Sequence, residues 1–336
     1  MTSVTMEWES RLGRRLRVRD LYILSTVVKS GGMGKAARQL AMTQPAVSAA
    51  IANLEHILGV RLLDRSPRGI EPTIYAQAML KRSTAVFDEL QQSVRDIRFL
   101  ADSTTGELTI GYPESIATTI LPTIIERFSE KYPRVVLHVD IVPAPSLNFP
   151  GLRDRTYDVV LARVPMPLSD EITADDLNVE VLFDDPLAVV AGAHSRWAHR
   201  RKIDLGELVD EPWIMYPRNT WAYARVAEAF KSRGLEVPKA GLVTFSMDLR
   251  ARFVASGHFI TVAVKTLMRV GSHGSMLKIL PVDFPSRPWL VAILTLKNRT
   301  LSPVVERFIE CACEVTKSMP DGTGDHVARR RKPNVS

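Results

Sequence analysis

Between Gly31 and Gly59 the chain has room for two helices and only two residues, Ala41 and Met42, to join them. The first is short, Lys35 to about Leu40, with Ala36, Ala37 and Leu40 able to pack. The second starts at Thr43, whose side chain can serve as N-cap. Pro45 fits its first turn, where no backbone donor is lost. Val47, Ala50, Ile51, Leu54 and Leu58 form its apolar stripe, and Gly59 ends it. A further helix precedes the pair: residues 18–30 place Leu21, Leu24, Val27 and Val28 at helical spacing, and Gly31-Gly32 stops it. Two helices around so tight a turn make a helix-turn-helix. The outward positions of its second helix, Gln44, Ser48, Ala49 and Ala52, are small and nearly free of charge. A merely solvated face would hold Lys and Glu.

The next segment, VRLLDRSPRGIEPT (60–73), alternates two short strands about a Ser66-Pro67-Arg68-Gly69 turn. It predicts a two-stranded wing with Arg65 and Arg68 near its tip. Residues 74–101 then run without an interior Gly or Pro. Ala76, Leu80, Ser83, Phe87, Leu90, Val94, Ile97 and Ala101 step alternately by four and three. That is a heptad seam, narrower than the stripe of a helix lying on its own core. It predicts a two-helix dimer contact through Leu80, Phe87, Leu90, Val94 and Ile97.

Charge is unevenly spread along the 336 residues. The first 70 hold 11 Lys and Arg against 5 Asp and Glu, and the last 20 hold 5 against 2, out of a total of +7. The long middle is therefore slightly acidic. A basic end on a near-neutral body fits either a solvated charged surface or an anionic polymer partner. No run of about 18 apolar residues occurs, and the N-terminus lacks an apolar core after its charges, so neither a membrane span nor a secretory signal is expected. The two cysteines, Cys311 and Cys313, are too close in sequence to bridge readily. They are expected as buried thiols in a reducing, cytoplasmic compartment.

After a polar hinge (ADSTTGE, 101–107), strand and helix patterns alternate to about Lys317. Such alternation predicts α/β sheets with ligand sites at the carboxyl ends of strands, and about 210 residues favour two lobes around a cleft. Leu147–Arg155 is expected as a helix and VLFDDPLAVVAGAH (181–194) as a strand pair. Residues 318–336 are rich in Gly, Pro and charge and are expected to be a disordered basic tail.

At this point residues 31–73 resemble the LysR-type transcriptional regulators. AARQL, TQPAVS, IANLEHILGVRLLDR and the wing ending in EPT carry the resemblance, which extends over residues 16–316. PRGIEPTIY and LARVP are similar to the branch that includes aromatic-acid catabolism and sugar-uptake regulators. The resemblance implies a mixed architecture, α plus α/β. A winged helix-turn-helix spans 1–73, a linker helix 74–101 and a hinge 102–106. A two-lobed Rossmann-like effector domain, like a periplasmic binding protein, spans 107–317. Lobe one would hold 107–181 and 282–317, and lobe two 182–281. The resemblance further implies a sequence-specific regulator of double-stranded promoter DNA, dimeric or tetrameric, that shifts DNA bend when an effector enters the cleft. The effector would be a small organic acid or sugar derivative, and RNA polymerase is a further candidate partner.

A recognition helix in the major groove puts its N-terminal residues against bases. Gln44 can pair with adenine, Ser48 can bond several base edges, and Pro45 can touch a thymine methyl. Thr43 and the helix N-terminus favour a phosphate. Lys35, Arg65 and Arg68 are backbone or minor-groove candidates. Where the family often has Arg or Lys this chain has Ala49, which removes a guanine or phosphate contact and leaves more of the reading to Gln44 and Ser48. Cleft candidates are Pro113, Ser115 and Ile116 after the first strand, and Arg163 at the end of DVVLAR, which can pair a carboxylate or an internal acid. Tyr216, Arg218, Asn219 and Thr220, and then Phe245, Ser246 and Met247, occupy the matching points of lobe two. Glu114, if inward, opposes an anion there.

Other motifs fail on inspection. SGGMGKAA would need Gly at Lys29 and Ser or Thr at Ala36 to be a phosphate loop. GSHGS (271–275) has His273 where a nucleophile elbow needs Ser. No His pair has metal-binding helical spacing, and Asp175-Asp176 and Asp184-Asp185 are taken as loop or strand-edge charges. No catalytic residue, metal or cofactor is expected. The competing class is a solute-binding component of a transport system, which shares the two-lobed region but does not account for residues 1–73.

Overall fold

The computed structural model describes residues 15–66, 69–102, 104–142, 148–165, 176–270, 276–285 and 289–318. The chain divides into two compact units, Met1–Ser93 and Val94–Ser336. Among the described residues no helix is long and apolar enough to cross a membrane.

The first unit packs α1 (Val18–Ser30), α2 (Met33–Gln39) and α3 (Gln44–Leu58) around Leu24, Val27, Ala36, Val47, Ile51 and Leu54. Gly31 and Gly59 cap α1 and α3 with φ of 71° and 70°, a left-handed conformation that glycine enters without a Cβ penalty. The α2–α3 turn solves the same problem with alanine. Ala41 has φ 51°, and the Met42 N–H reaches back to the Ala37 carbonyl at 2.9 Å. Glu55 Oε1 accepts from the backbone N–H of Leu62 at 2.7 Å and of Leu63 at 3.3 Å, which ties α3 to the start of the wing. The wing is β1 (Leu63–Ser66) paired antiparallel with β2 (Gly69–Pro72). Arg68 and the side chain of Arg65 lie outside the described residues.

Helix α4 (Ile74–Ala101) follows. Its heptad seam is divided. Leu80 and Phe87 are half-buried against the core of the first unit, and Phe87 meets Tyr22 edge-on at 5.7 Å. Leu90, Val94 and Ile97 remain open to solvent, Ile97 by 66%. The even seam expected from the spacing is therefore corrected: Leu80 and Phe87 pack on the first unit's own core, Phe87 against Tyr22 of α1, which the repeat alone does not reveal.

The second unit is α/β with two five-stranded sheets. In chain order come β3 (Thr105–Tyr112), α5 (Glu114–Ala117), α6 (Leu121–Lys131), β4 (Arg134–Ile141), α7 (Pro150–Arg153), β5 (Val159–Pro165) and β6 (Leu177–Asp184). Then follow β7 (Leu187–Gly192), β8 (Trp213–Met215), α8 (Trp221–Ser232), β9 (Ala240–Val243), α9 (Met247–Ala255), β10 (Ile260–Val264), α10 (Thr266–Val270) and β11 (Leu277–Ile279). β12 (Trp289–Leu296) and α11 (Pro303–Lys317) close the chain. The first sheet has the order β4-β3-β5-β12-β6 and the second β11-β7-β10-β8-β9. The expected strand pair at 181–194 is therefore two strands in different sheets. The chain crosses between lobes at Asp185-Pro186, and it rejoins the first sheet at Trp289. The helix expected over Leu147–Arg155 is a single turn, α7, within the described residues. Helices α6 and α11 cover one face of the first sheet, with Phe128 and Phe308 edge-on at 5.4 Å. Trp213 and Phe230 make a similar pair in the second lobe.

Candidate functional site

Helix α3 owes its exposed face to its own cap and its neighbours. Thr43 Oγ1 accepts the Ala46 N–H at 3.4 Å, so the first turn is held with its free backbone donors at the surface. Gln44, Pro45, Ala46, Ala49 and Ala52 are exposed and Ser48 half-exposed, while Val47, Ile51 and Leu54 point inward. Gln44 lies across the start of α2, where a Cβ on Gly34 would meet its Oε1 at 3.4 Å. Lys35 and Arg38 on α2, and Arg17 and Arg19 on α1, are exposed on this unit, and none of them forms an ion pair among the described residues. A narrow, uncharged helix face set among free cations can approach a polyanion closely while the cations hold its phosphates.

The second unit brings most of the cleft candidates to the carboxyl ends of strands. Pro113 caps α5, and Ser115 is half-buried in it. Ile116 is instead fully buried among Leu108, Ile110 and Ile124, so it is a core residue and leaves the candidate lining. Thr220 caps α8, accepting the Tyr223 N–H at 3.2 Å, while Arg218 and Asn219 are exposed beside it. Ser246 caps α9, and Phe245 packs on Tyr216 at 5.7 Å between ring centres.

Arg163 is corrected as a ligand-binding cation. It lies in the middle of an otherwise apolar, wholly buried strand, and its Nη1 donates to Asp185 Oδ2 at 2.6 Å. Its Nη2 reaches the Ser115 carbonyl and Thr119 Oγ1. Asp185 also accepts from the Thr266 backbone N–H at 3.0 Å and from its hydroxyl. Asp185 is thus no strand-edge charge. It sits at the crossover and joins β5 of the first lobe to α10 of the second.

Three more residues bear on this unit: Trp289 and Arg250, which the sequence did not single out, and Glu114, which it placed in the loop with Ser115. Trp289, at the return crossover, is buried in the second lobe's core and stacks on Trp221 at 3.6 Å between ring centres. Arg250, one turn into α9, is buried with its guanidinium 3.7 Å above the Tyr216 ring. Its Nη2 donates to Thr261 Oγ1 and to the Val262 carbonyl, and its Nη1 has no partner. Burial pushes its pKa below the ordinary arginine value. Glu114 Oε1 accepts the Met247 N–H at 3.1 Å and the Ser246 hydroxyl at 3.5 Å, bridging the lobes. An arginine one turn into a helix that follows a strand was the available signal for Arg250. Trp289 had none. Among the described residues no three His, Cys, Asp or Glu side chains cluster as a metal site.

A helix-turn-helix with a bare recognition face, joined to a two-lobed α/β unit, defines a DNA-binding transcriptional regulator with a ligand domain. Residues 18–77 match the family described as "Bacterial regulatory helix-turn-helix protein, lysR family", and residues 101–317 match "LysR substrate binding domain". The chain belongs to the LysR family of transcriptional regulators. It is 26% identical to the HTH-type transcriptional regulator TdcA of Escherichia coli (strain K12) over 277 residues, 77% of this chain and 86% of that protein. It is also 26% identical to the HTH-type transcriptional regulator GbpR of Azospirillum brasilense over 295 residues, 87% and 84% of the two chains. The fold is similar to full-length OxyR from Pseudomonas aeruginosa, with a TM-score of 0.60 at 19% identity, covering 91% of this chain and 96% of that one. It is likewise similar to full-length CbnR complexed with its target DNA, with a TM-score of 0.51 at 20% identity over 90% and 100% of the chains. The transport reading finds no support in these relatives.

Proposed function

We propose that this regulator works in the cytoplasm as a homo-oligomer, by binding rather than by catalysis. In this reading residues 1–73 bind promoter DNA, 74–101 join two subunits, and 107–317 take up a small organic acid or sugar derivative that alters the DNA complex. The observation that carries the reading is the exposed N-terminal face of α3, with Gln44, Pro45 and Ala49 open and free cations around it. A helix end of that kind enters the major groove, where Gln44 and Ser48 read base edges and Thr43 with the α3 N-terminus holds a phosphate. Lys35, Arg65 and Arg68 serve as backbone contacts.

The test is a gel shift on the DNA upstream of its own gene, at about 150 mM salt, against random duplex. The specific duplex is expected to bind at least about 1,000-fold tighter. Gln44→Ala is expected to weaken it by about 1–3 kcal/mol and to relax the preference at one base pair, with nonspecific binding unchanged. Equal binding of specific and random duplex on every candidate upstream region ends the reading.

A further inference from the structure

The two lobes of the second unit are tied by two sets of polar contacts that differ in kind. The first lies at the crossover. The Asp185 N–H donates to the Trp289 carbonyl at 2.6 Å and the Trp289 N–H to Asp184 Oδ1 at 3.2 Å, so the two connections between the lobes hold each other. The Asp185 carboxylate takes Arg163 from lobe one and the Thr266 N–H from lobe two, and the Trp289 side chain is seated in the core of lobe two. Asp184 ends β6, Trp289 starts β12 and Thr266 starts α10. Residues at the ends of elements are the ones that absorb the torsion of a hinge. The Asp185 side chain is closed to solvent, so water does not compete for its bonds.

The second tie lies outside the crossover. Glu114 Oε1 takes the Met247 N–H at 3.1 Å and the Ser246 hydroxyl at 3.5 Å. Each side of this contact is fixed to its own lobe. Ile116 anchors α5 in the core of lobe one, and the Ser115 carbonyl receives Arg163 Nη2 at 3.2 Å. Met247, Ala251 and Val254 anchor α9 in the core of lobe two. The bond cannot follow a rotation of one lobe against the other without pulling on these anchors. Glu114 is half-exposed, so water replaces its two partners when the bond breaks. A rotation of the lobes therefore keeps the buried tie and breaks this one.

We infer that Glu114 is a latch between the lobes: its bond to α9 holds their resting position, and its release lets lobe two turn on the Asp185–Trp289 seam. The latch acts in the chain alone, so it stands apart from the effector reading above. It puts the freedom of lobe two under the control of a single carboxylate of lobe one.

The experiment uses the full chain with Cys313→Ser, since Cys311 is buried. Spin labels go on Glu310→Cys in α11 of lobe one and Lys231→Cys in α8 of lobe two, both exposed positions. Dilution with unlabelled chain removes distances between subunits. Double electron–electron resonance then reads the distance between the lobes, and amide hydrogen exchange reads the 246–250 segment. In Glu114→Ala the segment is expected to exchange about tenfold faster than with Glu114 present. A second population of lobe distances is expected to rise about tenfold with it. Glu114→Gln keeps an acceptor for the Met247 N–H and is expected to stay near the parent chain in both readouts. Thr266→Val removes one hydroxyl from the crossover but leaves the backbone bond to Asp185, so the distances are expected to hold. Faster exchange with unchanged distances would reduce Glu114 to a local cap of α9 and overturn the latch. Unchanged exchange in Glu114→Ala would overturn it too, as would lobe distances spread equally by Thr266→Val.

Discussion

Arg163 and Asp185 meet at 2.6 Å with their side chains 2% and 0% exposed, in the seam where the chain passes from one lobe to the other. Removing either partner leaves a buried charge alone. Asp185→Ala or Arg163→Ala is therefore expected to cost about 3–5 kcal/mol in the urea unfolding of the second unit. The pair Arg163→Met with Asp185→Leu removes both charges and should cost less than either single change. If the double variant is the least stable of the three, the bonds to Thr266 and Ser115 outweigh the ion pair itself.

Ala41 is the one place in the helix-turn-helix where the residue type conflicts with the backbone. A φ of 51° costs a residue with a Cβ about 1–2 kcal/mol, and glycine gives back part of the gain through a looser unfolded chain. Ala41 is exposed, so little packing is lost with its methyl. Ala41→Gly is expected to stabilise the first unit by about 0.5–1 kcal/mol, and Ala41→Val to destabilise it. Calorimetry on the full chain reads both, and equal melting of all three would show that the turn relaxes.

Legibility followed the range of the interactions. The helix-turn-helix was plain because its signals are local: Thr43 caps three residues ahead, and Gly31 and Gly59 stop their helices in place. The buried run of β5 was equally plain. What Arg163 does inside it was not, because Asp185 is 22 residues away and Thr266 another 81 beyond that. The same holds for Glu114, whose partner on α9 lies 133 residues on. The even heptad misled for a related reason. Periodicity shows which face of α4 is apolar, and only packing shows that Phe87 turns to Tyr22 while Ile97 turns outward.

That division of α4 separates two kinds of variant. Leu90→Lys with Ile97→Lys places charge on residues that are 49% and 66% exposed in the single chain. Folding should survive, and sedimentation velocity should show the chain shifting toward monomer. Phe87→Ala removes packing from the first unit's core and is expected to lower its stability by about 1–3 kcal/mol, with association less affected. Unaltered sedimentation of the Lys variant would remove this face from the proposed dimer contact.

Cys311 and Cys313 stand two apart on α11 and so point to different sides of the helix. Cys311 is 1% exposed and Cys313 partly exposed. Burial first, and Glu314 second, raise the Cys311 thiol above its ordinary pKa, against smaller opposite effects of Lys131 and Arg127. Alkylation consumes the thiolate, so both access and ionisation protect Cys311. In the native protein at neutral pH, iodoacetamide is expected to label Cys313 at least about tenfold faster, as read by peptide mass spectrometry. In denaturant the two rates should converge, because both causes lie in the fold. Equal labelling under native conditions would mean that the C-terminal end of α11 opens faster than the reagent reacts.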